Sequence, residues 1–281
     1  MSVPAPAPAR RTGTFIATKE HRRFVEFADA VRREGYIGLC FGPAGVGKTL
    51  SARRYAHWDL AEPLIDTWGP RADSDADVYA ALARSRTVIY TPPVKAAYKQ
   101  LVSDLDSVMI RATSCIDQHL TKDDGPLVST RRSARRPLVE LIVIDEADRL
   151  AATALEHLRD RFDRRHFGLL LIGMPGIEKR LAAYPQLYSR IGFAHQYRAL
   201  TDDELAFVLT RHWRRLGLTL DLDDFTDAQG VAAVARITRG NFRLVHRLFT
   251  QVERLMKINN LSVLSTEIIE AARATLVIGQ T

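Results

Sequence analysis

The stretch YIGLCFGPAGVGKTL, Tyr36 to Leu50, runs from an apolar strand through a glycine-rich turn into the first residues of a helix. Within it the pattern G-x-x-x-x-G-K-T is complete from Gly42 to Thr49. Glycines let a chain curl so that successive backbone N–H groups point inward at an anion. A chance glycine-rich turn is the alternative, but the apolar strand before it argues for a phosphate-binding loop. We therefore predict that the stretch binds a nucleotide.

The residue types of this loop divide the work of holding phosphates. Three glycines supply the curl, the Lys48 ammonium reaches the outer phosphates, and the Thr49 hydroxyl can ligate Mg²⁺. The residues predicted to contact the nucleotide are Gly42, Pro43, Ala44, Gly45, Val46, Gly47, Lys48, Thr49 and Leu50. The pattern thus predicts ATP and Mg²⁺ as the bound cofactors.

A second apolar stretch, LIVIDEAD from Leu141 to Asp148, ends in adjacent carboxylates. Continuous apolar runs of this kind are strands buried on both faces of a sheet. Asp145, at the carboxyl end of the strand, would hold Mg²⁺ through water, and Glu146 would polarise the water that attacks the terminal phosphate. Without the phosphate loop, a buried strand before an acidic helix start would be the better interpretation. Together the two stretches predict an ATPase.

The bulk composition narrows the class of protein. At 281 residues the chain can bury a large core, and its 46% hydrophobic and 26% charged residues are typical of soluble globular proteins. The formal charge of +7 and the pI of about 9.6 favour a phosphate polyanion as partner. Cys40 and Cys115 have neither metal-type spacing nor a disulfide framework. Without a long apolar run or a secretory signal, we expect a cytoplasmic protein and no membrane contact.

Apolar strands alternate with helical segments along most of the chain. After the phosphate loop we expect the helix to end near Trp58 and a polar stretch with Pro63 to follow. TVIYTPP supplies a strand at Thr87 to Tyr90, and further strands are predicted at Gly168 to Ile172 and at Ala194 to Leu200. The order predicts an α/β fold, with a three-layer α/β/α core around a parallel sheet.

The pattern divides the chain into three predicted regions. Residues 1–17 form a flexible, basic tail rich in Pro and Ala, and residues 18–199 form the nucleotide-binding α/β core. From residue 200 the strands stop and helical periodicity continues to residue 281. Thr201 and Glu204 make a capping box at the start of this helical part. We therefore predict a small C-terminal helical domain.

With LYSRIGF and GNFRLVHRLF added to the two phosphate-binding stretches, the chain from about Thr18 onward resembles an AAA+ ATPase, in which the C-terminal helices act as a lid. In that family an arginine after the fourth strand reaches the nucleotide of the neighbouring subunit, and Arg190 matches it. Arg243 matches a second arginine, which senses the phosphates of its own subunit from the start of a lid helix. Each guanidinium would lie on phosphate oxygens and make hydrolysis depend on assembly and on lid position.

Two features leave this assignment open at the residue level. Arg190 and Arg243 could instead pair only with local carboxylates. The family usually has a further polar phosphate sensor at the end of the fourth strand, where this sequence has Gly173 and Met174.

Within the AAA+ proteins, the layout is similar to that of the transposition regulators TnsC, TniB and MuB. The shared features are a short chain, a basic balance, TVIYTPP before a long helical segment, and LLLIGMPGIEKRL before LYSRIGF, the stretch that carries Arg190. The resemblance implies ATP-dependent, sequence-nonspecific binding of double-stranded DNA and a homo-oligomer that is a ring or a helical filament. It also implies a transposase as partner, with a target-selection protein as a further candidate.

Two basic segments are candidate DNA contacts. Lys95 and Lys99 are four residues apart at the start of a predicted helix from Lys95 to His119, so they share one face. The resemblance places this segment, with Arg111, along the inner channel of the assembly. The rival site is the run that contains Arg131, Arg132, Arg135 and Arg136. Simple solvation of surface charges is the alternative for both segments.

Two other functions use the same ATP chemistry. A helicase loader or initiator-type ATPase would act on a protein ring, and a nucleotide-gated scaffold ATPase would bind no nucleic acid. We expect an initiator to carry a DNA-binding domain after the lid, where this chain ends at Thr281, and a loader to carry a helicase-binding segment in place of the Pro/Ala tail. DNA binding that requires ATP would exclude the scaffold.

Overall fold

The computed structural model describes residues 15–94, 98–121 and 137–276. Within these residues there are five strands: β1 (Ile37–Phe41), β2 (Thr87–Tyr90), β3 (Leu141–Ile144), β4 (Gly168–Gly173) and β5 (Ile191–Gln196). They form one sheet in the order β2-β3-β4-β1-β5, and every neighbouring pair is parallel. The predicted parallel α/β core is therefore confirmed.

Helices connect and flank these strands. In the described residues the α-helices are α1 (Lys19–Glu34), α2 (Lys48–Tyr55), α3 (Trp58–Thr67), α4 (Ala76–Ser85), α5 (Tyr98–Leu120), α6 (Ala152–Arg164), α7 (Ile177–Ala182), α8 (Pro185–Tyr188), α9 (Asp202–Arg215), α10 (Phe225–Thr238), α11 (Phe242–Ile258) and α12 (Thr266–Ala274). Two short 3₁₀ turns lie at Asp73–Asp75 and Ala147–Arg149.

The central strands show why the sheet is covered on both sides. Every residue of β2, β3 and β4 is buried, as is normal for parallel strands enclosed by helices. In contrast, β5 lies at an edge of the sheet and alternates between half-buried and exposed residues. The carboxyl ends of β1 and β3 are neighbours of β4, so the loops that follow them lie at one edge of the sheet.

Local signals in the sequence set the ends of α1. The Thr18 hydroxyl accepts a 3.1 Å hydrogen bond from the His21 N–H, which caps the first turn. Gly35 has a left-handed conformation at φ +66°, and its N–H donates to the Val31 carbonyl at 3.1 Å. Buried Phe24 and Ala28 hold this helix against the sheet.

The segment after the phosphate loop differs from the prediction of a polar stretch. Pro63 lies inside α3, where its missing N–H removes one helical hydrogen bond. The helix survives because Trp58, Ala61 and Ile65 bury one face in the core. The following helix, α4, was not predicted from the sequence.

The last strand also differs from its predicted position at Ala194 to Leu200. The observed strand, β5 (Ile191–Gln196), begins and ends earlier in the chain than predicted. The reason is its parallel pairing with β1, which places Ile191 opposite Ile37. The Tyr197 N–H then donates to the Phe41 carbonyl at 2.7 Å, and the chain leaves the sheet towards the lid.

The C-terminal helices form a second hydrophobic cluster. Its buried side chains include Trp213 and Phe249, which lie 5.3 Å apart between ring centroids. The predicted capping box is present, since the Thr201 N–H donates to Glu204 Oε2 at 3.1 Å and the Glu204 N–H donates to Thr201 Oγ1. Among the described residues, the helices are too short or too polar to cross a membrane.

Candidate nucleotide-binding site

The phosphate loop connects β1 to α2 as the sequence predicts. Gly45 and Gly47 have positive φ values of +82° and +116°, which side chains rarely adopt. Gly47 is the N-cap of α2 and has no capping side chain, so the first N–H groups of the helix remain for an anion. The local geometry therefore fits the phosphates of a nucleotide.

Lys48 is anchored on the loop itself. Its Nζ donates to the Gly42 carbonyl at 2.5 Å and to the Pro43 carbonyl at 2.8 Å. Partial burial lowers the pKa of this ammonium group below its ordinary value. Its charge thus lies on the loop that the sequence assigns to phosphate binding.

Thr49 and Asp145 meet across the site. The Thr49 hydroxyl donates to Asp145 Oδ2 at 2.8 Å, and the Glu146 N–H donates to Asp145 Oδ1 at 3.0 Å. Burial raises the pKa of Asp145, which is 4% exposed. A hydroxyl and a carboxylate are hard oxygen donors of the kind that Mg²⁺ prefers, so these residues fit the metal that the sequence predicts.

Glu146 follows Asp145 in a left-handed conformation, with φ +51°. Its carboxylate is about half exposed and forms an ion pair with Arg149. The Arg149 guanidinium also donates to the Pro92 carbonyl at 2.9 Å, beyond the end of β2. The predicted water-orienting carboxylate therefore lies at the surface of the site, next to a cation that connects two strand ends.

A shallow, open pocket adjoins the phosphate loop. It lies between the segment before α1, the start of α2 and the lid, and its lining includes the apolar side chains Ile16, Leu50 and Phe242. Thr18 and His21 also line it, so the N-cap and first turn of α1 reach this pocket. Apolar side chains with a few polar groups are the kind of lining that a heterocyclic base prefers.

A buried polar chain runs along the wall of this pocket. His21 Nδ1 and Ser51 Oγ are 3.0 Å apart, and Ser51 Oγ and the Tyr197 hydroxyl are 2.7 Å apart. Burial, together with the charge of Arg54, lowers the pKa of His21, which favours the neutral ring. Sequence reasoning missed Ser51 and Tyr197 because α2 and the end of β5 meet only in the folded chain.

Arg243 lies where the lid reaches the phosphate loop. It is exposed in the first turn of α11, and its backbone N–H donates to the Gly45 carbonyl at 2.9 Å. Its guanidinium charge acts on Lys48, and this is one of the smaller causes that lower the pKa of that lysine. The structure thus brings the predicted lid arginine to the phosphate loop.

Arg190 is held by its own subunit, in the turn between α8 and β5. Its Nε donates to Asp163 Oδ1 on α6 at 2.5 Å, and a second nitrogen donates to the Gln186 carbonyl. Asp163 is shared with Arg159, which donates to its other oxygen at 2.7 Å. Arg190 therefore has a local carboxylate partner, which is the alternative that the sequence left open. Its role toward a neighbouring subunit stays a prediction.

The end of β4 is organised by a carboxylate from the loop after β3. The Met174 N–H donates to Asp148 Oδ2 at 2.7 Å, and a Cβ on Gly173 would lie 2.8 Å from that oxygen. Asp148 therefore occupies the space beside β4 in which a side chain on residue 173 would lie. It also acts electrostatically on Lys48.

The candidate DNA residues are not brought together in the described part of the chain. Lys99 is exposed in the first turn of α5, but Lys95, Arg131 and Arg132 lie outside the described residues, as do Arg135 and Arg136. Arg111 donates to the Ile65 carbonyl at 2.5 Å and lies over the Trp68 ring. This arginine caps α3, and its contact with DNA stays a prediction.

The parallel sheet, the glycine-rich loop and the carboxylates after β3 are the features of a nucleotide-binding domain with a helical lid. A family model described as AAA domain matches residues 31–181, more than half of the chain. The chain therefore belongs to the AAA domain family.

Individual relatives agree with this assignment. The chain is 43% identical over 267 residues to a Staphylococcus aureus protein called "Potential ATP-binding protein", covering 94% of this chain and 97% of that one. The Thermotoga maritima RuvB Holliday junction branch migration motor matches with a TM-score of 0.56 at 18% identity, over 93% of this chain and 70% of that chain. The Aeropyrum pernix ORC2 protein in its ADP form matches with a TM-score of 0.56 at 16% identity, over 96% of this chain and 70% of that chain. At these identities the structural matches support the fold alone.

Proposed function

We propose that this protein is an oligomeric, ATP-hydrolysing and DNA-binding regulator of transposition. The observation that carries the ATPase part is the Thr49–Asp145 hydrogen bond, which joins the phosphate loop to the end of β3. This hydrogen bond joins the hydroxyl and the carboxylate that we propose as Mg²⁺ ligands, and the exposed carboxylate of Glu146 follows next in the chain. Family membership and the relative's name support ATP binding at the same loop.

The residues of the site have separate tasks in hydrolysis. Thr49 and Asp145 would hold Mg²⁺, which neutralises phosphate charge when bound. Lys48 binds the outer phosphate oxygens once its hydrogen bonds to the loop carbonyls are exchanged for them. Glu146 orients a water and accepts its proton after separating from Arg149.

Assembly completes the site in this proposal. Arg190 lies just before β5, at the opposite end of this edge strand from the lid, and its guanidinium donates hydrogen bonds to Asp163, Gln186 and Ser189 of its own subunit. Its guanidinium exchanges these partners for the phosphates bound by a neighbour. Hydrolysis then depends on a ring or filament of subunits.

In this proposal the basic charge of the chain supports DNA binding. The chain carries a formal charge of +7, which favours a polyanionic partner. Transposition is supported by the layout that resembles TnsC, TniB and MuB, with a transposase as the partner protein.

Fluorescence anisotropy of labelled duplexes tests the DNA part directly. We expect binding with ATP, weaker binding with ADP, equal affinity for unrelated sequences, and loss of affinity as salt rises. Lys48→Ala is the control, because it should lose the ATP dependence. Salt-independent binding or no binding to any duplex would favour a scaffold ATPase. Where a transposase gene lies beside the gene for this protein, strand-transfer assays with that transposase then test transposition, and unchanged target joining would contradict it.

A further inference from the structure

Asn241 lies between the lid and the phosphate loop, and both the oxygen and the nitrogen of its side-chain amide form hydrogen bonds. Its Oδ1 accepts hydrogen bonds from the N–H groups of Arg243 at 3.1 Å and Leu244 at 3.2 Å, which caps α11. Its Nδ2 donates to the Ala44 carbonyl at 2.8 Å, 197 residues away in the chain. One side chain therefore caps the lid helix and contacts the loop.

The backbone strengthens the same junction. The Arg243 N–H also donates to the Gly45 carbonyl at 2.9 Å, so two lid groups meet two successive loop carbonyls. The approach is close, because a Cβ on Gly45 would lie 2.6 Å from Asn241 Oδ1 and 2.9 Å from Arg243 Cβ. We call this set of four residues, Ala44, Gly45, Asn241 and Arg243, the lid–loop contact.

The turn before α11 is also fixed at its other end. The Leu200 N–H, where the chain passes from the sheet to the lid, donates to the Gly240 carbonyl at 2.9 Å. Gly240 has φ +71°, and a Cβ there would lie 2.2 Å from the Leu200 carbonyl oxygen. A change in the position of the phosphate loop is therefore passed to α11 through a turn that has little freedom of its own.

We propose that Asn241 is a positioning residue that couples the phosphate loop to Arg243, so that the lid responds to the terminal phosphate of ATP. The proposal rests on the proposed ATP site and adds to it a specific requirement for an amide side chain. An N-cap needs only an acceptor, whereas this position also needs a donor toward Ala44. Without that donor, α11 keeps its cap but loses one of the two hydrogen bonds that hold the residues around Arg243 against the loop.

A second lid cap supplies a matched control. Asp224 caps α10, and its Oδ1 accepts from the Thr226 N–H at 2.9 Å and from the Asp227 N–H at 3.1 Å. Within the part of the chain that the structure describes, Asp224 makes no hydrogen bond to the phosphate loop. Serine can cap a helix in place of either residue, but its hydroxyl is too short to make both contacts of Asn241.

The experiment compares Asn241→Ser with Asp224→Ser, using titrations of a non-hydrolysable ATP analogue and of ADP. We expect Asn241→Ser to lower the affinity for the ATP analogue about tenfold and the affinity for ADP less than about threefold. A tenfold loss is the scale expected for one lost hydrogen bond near a charged group. Asp224→Ser should leave the ratio of the two affinities unchanged. If Asn241→Ser fails to fold, Asn241→Asp keeps a strong cap without the donor and replaces it in the comparison.

The double variant Asn241→Ser/Arg243→Ala separates positioning from simple structural support. If Asn241 acts through Arg243, the double variant should bind the ATP analogue as Arg243→Ala does. The coupling would be overturned if Asn241→Ser lowered the affinities for the analogue and for ADP equally, or if the losses of affinity for the analogue added in the double variant. If the parent protein bound no ATP analogue at all, the proposed ATPase function itself would fail, which is a distinct result.

Discussion

The Thr49 hydroxyl and the Asp145 carboxylate are joined by a 2.8 Å hydrogen bond, although 96 positions separate them in the chain. The contact closes the gap between the phosphate loop and the end of β3. It also holds a carboxylate that burial has made harder to ionise, since burial raises the pKa of Asp145. The site therefore holds the Asp145 carboxylate, whose negative charge is unfavourable when buried, where a bound cation could neutralise it.

Asp145→Asn should stabilise the nucleotide-free protein at neutral pH and abolish its stabilisation by Mg²⁺ with ATP. The folded chain holds the Asp145 proton more tightly than the unfolded chain, so this group's contribution to stability is lost as pH rises through the folded-state pKa. A neutral isostere removes that loss. We expect Tm to rise by roughly 2 to 4 °C, the scale of about 1 kcal/mol in a domain of this size. A lower Tm at neutral pH, with the gap to the parent constant down to acidic pH, would be inconsistent with this origin.

Lys48→Ala should remove tight ATP binding. The Lys48 ammonium is already on the loop, 2.8 Å from the Pro43 carbonyl, and its exchange onto phosphates gives a charge-assisted contact. Losing such a contact costs about 2 to 3 kcal/mol, or roughly 30- to 150-fold in affinity. Calorimetric titration with ATP measures this directly. Equal affinity of the variant and the parent would remove the phosphate-loop assignment.

Glu146→Gln should keep ATP binding and stop hydrolysis. The amide has the size of the carboxylate but cannot accept the proton of the attacking water, which is expected to cost ~10² to 10⁴ in rate. Its loss also breaks the ion pair with Arg149. Arg149→Ala is the control, because it breaks the same pair and leaves Glu146 able to act. If both variants lost turnover equally, the ion pair and not the base would explain the loss.

Arg190→Ala should bind ATP nearly as the parent does and lose most of its turnover. Arginines that act across a subunit boundary can contribute ~10³ to 10⁵ in rate. The Arg190 guanidinium is at present paired with Asp163, whose pKa is lowered mainly by that hydrogen bond. We expect the parent's specific activity to rise with protein concentration, and mixing Arg190→Ala with Lys48→Ala to restore some activity. Concentration-independent turnover and an active Arg190→Ala variant would show that no neighbour is needed.

The Lys95→Ala/Lys99→Ala variant should weaken binding to all duplexes alike. If each lysine neutralises one phosphate, the slope of log affinity against log salt should flatten by roughly 0.9 per lost contact. Lys99 is exposed on the first turn of α5, as a phosphate contact requires. A variant with Arg131, Arg132, Arg135 and Arg136 replaced by alanine is the comparison. If only that second variant changes the slope, the DNA site lies in the arginine run.

The sequence predicted the parts of the site that depend on local order. A strand, a glycine turn and Lys48–Thr49 are contiguous, and Asp145 and Glu146 follow directly on their strand, so composition and spacing suffice for them. Pro63 misled the prediction because its cost in a helix is local, whereas the burial of Trp58 and Ile65 that outweighs it is tertiary. Local residue propensities therefore predict only part of the fold.

Contacts between distant segments could not be found in the same way. Asn241 is a predictable helix cap, but its bond to the Ala44 carbonyl depends on how the lid lies against the core. The chain from His21 through Ser51 to Tyr197 likewise joins three elements that have no shared sequence signal. Such groups become visible only once the packing of α1, α2 and the end of β5 is known.

Electron microscopy of the parent protein with duplex DNA and a non-hydrolysable ATP analogue tests the central claim most directly. We predict rings or helical filaments along the DNA, which disappear when ADP replaces the analogue or when Lys48 is changed to alanine. Particles of single-subunit size, unchanged by nucleotide and separate from the DNA, would contradict the proposal of an ATP-dependent assembly on DNA.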